Sequence, residues 1–341
     1  MITSKEIAAL AGVSRGTVDR VLNHRGAVKP ETEQRVREIA RELNYQPNKA
    51  GMALAAQKKK ITIGILLLGA NSNNLFWNDV MDGVTYQQRN LSGYGCRILV
   101  RQSSFDDQEQ IDIIDEFVKD GINGLIIAPC NTPKIARKID ELFEMGIPTA
   151  TTNTDIQNSK RLFYVGSNYY ESGCVAGGFM GLITGGSAKA GIVTGSSMVF
   201  CHTERIGGFL NTISERYPHI ELLEIVENHD DELKSYHVTC QLLEKYPDLN
   251  ALCFTAAGVH AGCQAVLDLK REKDMKIICF DVNNPVKELI RQGVISATIC
   301  QQPFQQGSKP IKLLFNYLTT GIAPENPLFY TNAFIKIYEN L

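Results

Sequence analysis

Arg15 and Arg20 stand in a short polar segment, Ser14-Arg15-Gly16-Thr17-Val18-Asp19-Arg20, that opens on a serine able to cap a helix. A guanidinium at the exposed start of a helix can reach a base edge, where its fork matches guanine O6 and N7. Arg20, Arg25 and Lys29 are better placed for phosphates, helped by the positive ends of helices. A second cluster, Asn71-Ser72-Asn73-Asn74-Leu75-Phe76-Trp77, joins amides that bond hydroxyls to two adjacent aromatics. Sugars have polar edges and apolar faces, so this combination suits them.

The elements that must position the arginines are three short helices. Thr3-Ser4-Lys5-Glu6 has capping-box spacing, Ile7, Ala8, Leu10 and Ala11 give the first helix its apolar face, and Gly12 ends it. The second spans 15–23 with Val18, Val21 and Leu22 inward. After a turn at Arg25-Gly26, Pro30 starts a third, with Val36, Ile39, Ala40 and Leu43 inward. Helices this short hold only when packed together. Helix, glycine-containing turn, helix is the arrangement in which the first helix braces the second in the DNA major groove. A plain three-helix unit with a solvated basic face accounts for the same periodicity. Charge favours the DNA reading: residues 1–60 hold twelve Lys/Arg against six Asp/Glu, a net +6 in a chain whose total is −2, which leaves −8 on the rest.

Pro47 stops the helical pattern, and 48–60 reads as a linker ending in Lys58-Lys59-Lys60. From Ile61 apolar strand-like runs alternate with amphipathic helical segments for the remainder of the 341 residues. The runs are 61–68, 96–100, 124–128, 149–152, 163–165, 191–193, 251–254, 276–280 and 297–299. Such alternation predicts doubly wound parallel sheets, and its length predicts two of them. Their cleft, at the C-terminal strand ends, is where such folds hold small ligands. No run is long and apolar enough for a membrane span, and no leader segment is read at the N-terminus. The nine cysteines are scattered, mostly within apolar runs, as buried thiols of a reducing compartment would be. A cytoplasmic location with no membrane partner is the expectation.

Ala11-Gly12-Val13-Ser14, Thr17-Val18-Asp19-Arg20-Val21-Leu22-Asn23 and Leu43-Asn44-Tyr45-Gln46-Pro47-Asn48 together resemble the headpiece of the LacI/GalR family of bacterial repressors. The resemblance implies that base readout falls on Arg15 and Gly16, with Arg20 beside them and Ser14, Thr17, Asp19, Asn23 and Asn48 in the same interface. Gly16 has no side chain to read with, so readout rests on the two arginines and a close backbone approach. At Asp19 the family commonly has serine. A carboxylate there repels DNA unless it accepts from a cytosine N4 or pairs with Arg15, and the sequence leaves these alternatives open. The linker is similar to the family's hinge helix, which implies that Leu54 wedges into the minor groove.

Residues 61 to about 335 resemble periplasmic sugar-binding proteins of the ribose-binding type. That likeness implies ligand contacts at Asn74, Phe76, Trp77, Arg205, Asp281 and Gln301. The usual Asp-Arg pair after the fourth strand falls on Asn153-Thr154, with Asn153 kept as a ligand contact, and the usual Asn-Asp after Cys253-Phe254 falls on Ala257-Gly258; Asp155 or His260 could substitute. The implied domains are a helix-turn-helix head over 1–47, a hinge over 48–60, and two lobes, 61–167 with 302–328 and 168–301 with 329–341. The chain would cross between lobes near Ser167, Gln301 and Leu328.

Gly185-Gly186-Ser187-Ala188-Lys189 follows a helix and precedes a strand, the reverse of a phosphate loop. Cys201-His202 with Glu204 lacks a spaced second ligand pair for a metal. No catalytic constellation is legible, and no cofactor or metal is expected. The resulting expectation is a homodimeric repressor binding near-palindromic operator DNA under control of a small effector of the sugar class. A solute-binding protein of sugar uptake and an enzyme acting on a sugar or nucleotide are the alternatives.

Overall fold

Thr3 starts the chain's first helix, α1 (Ser4–Ala11), with a complete capping box, its hydroxyl accepting from the Glu6 amide and its own amide donating to the Glu6 carboxylate at 2.7 Å. Gly12 ends α1 in the left-handed conformation, φ 66°. α2 (Arg15–Leu22) and α3 (Pro30–Glu42) complete the head, whose core is Ile7, Ala8, Ala11, Val18, Val21, Leu22 and Val36. Leu10, expected inward, is 56% exposed. It lies roughly 100° round the helix from the stripe formed by residues 7, 8 and 11, too far for two small partner helices to cover. The computed structural model describes residues 3–22, 28–43, 60–69, 76–197 and 199–341, without the side chain of Asp19. Asn23, Asn48, Leu54 and Asn74 lie outside them, with most of the linker.

The body is built on two six-stranded sheets. The first has the order β11-β5-β4-β3-β1-β2 and is parallel throughout, from β1 (Thr62–Leu68), β2 (Arg97–Ser103), β3 (Gly124–Ile127), β4 (Thr149–Thr152), β5 (Phe163–Ser167) and β11 (Leu328–Thr331). The second, in the order β12-β10-β9-β8-β6-β7, comprises β6 (Ser187–Thr194), β7 (His219–Glu227), β8 (Ala251–Phe254), β9 (Lys276–Phe280), β10 (Ala297–Cys300) and β12 (Phe334–Lys336). Only its edge strand β12 runs antiparallel. Central strands such as β3 and β8 are buried at every position, as sheets covered by helices on both faces require. No described helix is long and apolar enough to cross a membrane.

The chain passes from the first lobe to the second after Ser167 and returns after Gln301. Its third passage follows Thr331, not Leu328, because β11 continues pairing with β5 through Thr331 opposite Ser167. The three crossings are tied together. Ser167 Oγ lies 3.1 Å from Thr331 Oγ1 and donates to Gln301 Oε1 at 3.4 Å, and the Asn332 amide donates to Gln302 Oε1 at 3.0 Å.

Each lobe also clasps one helix pair through glycines. In the first, helices Phe76–Ser92 and Pro303–Thr320 touch where a Cβ on Gly83 would stand 2.2 Å from the Phe304 carbonyl oxygen, and one on Gly307 would stand 2.0 Å from that of Val80. In the second, helices Tyr169–Ile183 and Phe200–Arg216 meet the same way, Gly173 against the Arg205 carbonyl at 2.1 Å and Gly208 against that of Tyr170 at 2.0 Å. Backbone offers no rotamer by which to yield. Gly83→Ala and Gly208→Ala should therefore each cost about 1–3 kcal/mol, read by denaturant unfolding. Gly178→Ala, facing open space in the same helix as Gly173, should leave stability unchanged or slightly raised. Equal effects of all three would show that the helices do not pack this closely.

Candidate functional site

In the head, Ser14 caps α2, its Oγ accepting from the Thr17 amide at 3.1 Å. Val18, Val21 and Leu22 turn inward, which leaves Arg15, Gly16 and Arg20 exposed on one outer face with Ser14 beside them and Thr17 half-buried. Arg15 Nε donates to Ser4 Oγ at 3.2 Å, bridging to the bracing helix. Arg20 donates from Nε to the Gly16 carbonyl and from Nη2 to Thr17 Oγ1, both at 3.3 Å. Both guanidiniums are thus held along the outer face by exposed bonds that a phosphate or base can replace. A Cβ on Gly16 would meet nothing nearer than Ser14 Oγ at 3.7 Å. Packing within the head does not require glycine there.

Between the lobes lies a cavity of about 660 Å³. It gathers Phe76, Trp77 and Asn153 from the first lobe, Arg205 and Asp281 from the second, and Gln301 from a crossing. Phe76 and Trp77 open their helix edge to face, ring centres 5.3 Å apart; Trp77 also belongs to the first lobe's apolar core, so it is wall and core at once. Asn153 leaves β4 at φ 61°, its amide donating to Gln306 Oε1 at 3.1 Å and its carbonyl accepting from the Tyr164 and Tyr169 hydroxyls. Burial pushes both phenols well above their ordinary value, so they stay protonated and donate.

Arg205 is 4% exposed. Its guanidinium lies over Phe280 at 4.1 Å and Tyr169 at 5.1 Å, and Nη1 donates to the Thr255 carbonyl at 2.6 Å. Its Nε has no hydrogen-bond partner among the described residues. Asp281 leaves β9 at φ 65°, and its two carboxylate oxygens accept from Gln301 Nε2 at 2.8 and 2.9 Å. Burial raises the Asp281 carboxyl above the usual carboxylate range, against the opposing pull of Arg205 and Gln301. A guanidinium, a carboxylate and amides around aromatic walls can hold vicinal hydroxyls by paired donation and acceptance.

Of the two candidate substitutes, His260 lines the cavity, whereas Asp155 does not. Asp155 is occupied by Arg161 at 2.5 Å and by Thr151 Oγ1 at 2.6 Å. The loop after β7 braces Ala257-Gly258: Asn228 Nδ2 donates to the Ala257 carbonyl at 2.7 Å and the Ala257 amide donates to Asp230, which lines the cavity, at 2.9 Å. Tyr169, His202, His229 and Asp230 are cavity residues that sequence reasoning did not assign. The run Asn228-His229-Asp230-Asp231 was the available signal, hidden because β7 was not read as a strand.

Residues 63–322 match the family model described as periplasmic binding protein domain, and residues 3–48 match that of bacterial regulatory proteins, lacI family. The chain is 28% identical to the ribose operon repressor of Haemophilus influenzae, over 95% of this chain and 96% of that one. It is 24% identical to the ribose import binding protein of Bacillus subtilis, over 75% of this chain and 81% of the other. Among solved structures it is similar to GanP, a glucose-galactose binding protein from Geobacillus stearothermophilus, with a TM-score of 0.74 at 25% identity, covering 82% of this chain and 99% of that one.

The raised Asp281 carboxyl carries a stability consequence. A group protonated more readily in the folded than in the unfolded chain favours folding below its unfolded value, and that contribution is lost as pH rises through the folded one. Above the ordinary carboxylate range the burial of Asp281 therefore weakens the ligand-free protein. Asp281→Asn, neutral and well suited to positive φ, should raise the thermal midpoint at pH 7 and show a shrinking advantage as pH falls into the carboxylate range. A lower midpoint at pH 7 would mean that its bonds to Gln301 outweigh its burial.

Proposed function

We infer the function from family membership: the chain belongs to the periplasmic binding protein domain family through residues 63–322 and to the bacterial lacI regulatory family through residues 3–48. It is a ligand-controlled, DNA-binding transcription regulator. We propose that it is a cytoplasmic repressor, that two copies seat their heads on the halves of a near-palindromic operator, and that the cleft holds a neutral polyol of the sugar class. The cleft binds this ligand without turning it over.

The observation that carries the ligand reading is the cavity set Arg205, Asp281 and Gln301, a buried guanidinium beside one hydrogen-bonded carboxylate. Asp79, Asp230, Asp231, Glu232 and Asp281 line the same cavity against the single arginine. That balance disfavours sugar phosphates and other anions. Relatives named for ribose and for glucose and galactose support the sugar class. Loss of the Asp-Arg pair to Asn153-Thr154 argues for a polyol whose hydroxyls differ from those of ribose. Ligand closing the lobes and hinge helices docking on DNA bias one equilibrium, so operator must change ligand affinity by the factor by which ligand changes operator affinity.

In the head, Arg15 reads a base, Arg20 and Ser14 hold phosphates, and Thr17, Asp19, Asn23 and Asn48 complete the interface, with Leu54 wedged at the operator centre. On an operator selected from random duplexes, Arg15→Ala should cost about 1–3 kcal/mol and relax preference at one base pair. Gly16→Ala should stabilise the free head by up to about 1 kcal/mol yet weaken operator binding, because the new methyl faces DNA. Leu54→Ala should weaken binding and reduce bending. Unchanged operator affinity in all three would sink this docking.

For the cleft, a thermal-shift screen of sugars, sugar phosphates and purines should yield a neutral sugar or polyol, with the shift lost in Arg205→Ala and Asp281→Ala. A hit indifferent to both would place the ligand elsewhere.

A further inference from the structure

Gln306 is fully buried in the helix Pro303–Thr320, which follows the second crossing. It bonds two residues that line the interlobe cavity: its Oε1 accepts from Asn153 Nδ2 at 3.1 Å, and its Nε2 donates to the Gln301 carbonyl at 2.9 Å. One side chain therefore spans the end of β4 and the crossing. Its main chain is held as firmly. Pro310, inside the same helix, has no amide hydrogen, so the Gln306 carbonyl four residues earlier lacks its helical partner. Thr152, the last residue of β4, fills that place, its Oγ1 donating to the Gln306 carbonyl at 2.7 Å. The adjoining Gly307 lies against the Val80 carbonyl.

Only one orientation of the two amides satisfies these contacts. A backbone carbonyl accepts and cannot donate, so the Gln306 nitrogen must face Gln301 and the Gln306 oxygen must face Asn153. Asn153 has to meet that oxygen with Nδ2, which leaves Oδ1, an acceptor, as the atom it can offer to the cavity it lines. The main chain of Asn153 is fixed independently: its carbonyl accepts from the Tyr164 and Tyr169 hydroxyls at 2.8 and 2.5 Å, and its amide donates to the Val165 carbonyl at 3.1 Å. The side chain alone carries the choice, and Gln306 makes it.

We propose that Gln306 is a positioning residue of the cleft, which fixes Asn153 as a hydrogen-bond acceptor and so selects a ligand that brings a hydroxyl donor to that point. An asparagine free to turn takes either a donor or an acceptor. A fixed one rewards a donor and sets a ligand carbonyl or carboxylate oxygen against another oxygen, which discriminates by repulsion as well as by attraction. Asn153 thereby gives the first lobe a neutral acceptor, opposite the Asp281 carboxyl of the second. That the donor is a hydroxyl rests on the polyol reading of the cleft; the orientation of the amides does not.

The test is a double-mutant cycle in the full-length protein, Asn153→Asp with and without Gln306→Met, read by denaturant unfolding. The new carboxylate faces the Gln306 oxygen and finds no donor there. Asn153→Asp should therefore lower the folding equilibrium constant about tenfold more in the wild-type background than beside Gln306→Met, where that oxygen is gone. Burial of the new charge is common to both backgrounds and cancels. An equal or smaller loss in the wild-type background would overturn the proposal, because a Gln306 nitrogen facing position 153 would welcome a carboxylate. If Gln306→Met fails to fold, Asn153→Asp alone decides: a loss supports the orientation, and no loss refutes it. D-ribose, D-glucose and D-galactose serve as ligand probes. Any that raises the wild-type thermal midpoint should bind Gln306→Met about tenfold more weakly, and unchanged affinity would refute the positioning role. No shift from any of the three would count against the sugar reading of the cleft, while the cycle still decides the amide orientation.

Discussion

Gln301 holds the Asp281 carboxylate with one amide nitrogen, at 2.8 and 2.9 Å, from the segment that carries the chain between the lobes. The same side chain accepts from Ser167 at a second crossing, and Ser167 in turn touches Thr331 at the third. One hydrogen-bonded chain therefore joins the candidate site to all three crossings between the lobes. A ligand that bonds Asp281 competes for the acceptor on which Gln301 is anchored.

The cleft is made at a cost in stability. Four of the described non-glycine residues with positive φ, Asn153, His229, Asp230 and Asp281, line it. Each turns the chain sharply at the end of a strand, which aims a polar group into the cavity, and left-handed backbone is unfavourable for a side chain that bears a Cβ. The burial of the Asp281 carboxyl and the unpartnered Nε of Arg205 add to the expense. Compensation comes from elsewhere in the lobes. The apolar sheets are covered on both faces, and the glycine-clasped helix pairs lock Arg205 in place by backbone contact, so its carbonyl cannot move without moving Gly173.

The body keeps the architecture of sugar-binding proteins while changing what the second lobe presents. After β8, Ala257 and Gly258 present no polar side chain, and Asn228 and Asp230 bond the Ala257 backbone from the adjacent loop. Gly258, at φ 86°, could not be a larger residue, since a Cβ there would stand 2.6 Å from Asn228 Nδ2.

Local pattern sufficed for much of this protein. The head was legible because caps, glycine stops and a 3.6-residue apolar repeat act within a few residues, and the central strands because burial on both faces leaves unbroken apolar runs. Leu10 escaped this logic, since the width of its helix's buried stripe depends on partners. So did β7, an edge strand whose apolar residues alternate with Glu221, Glu224 and Glu227, and the short β11 and β12, which pair far along the chain. Arg205, Asp281 and Gln301 could be marked only by likeness to a family, and Tyr169, His202 and Asp230 not at all. Those six residues come from five separate segments, and chain-local signals carry no information about which strand ends will face one another. Sheet order and the three crossings decide that, and they exist only once both lobes have folded.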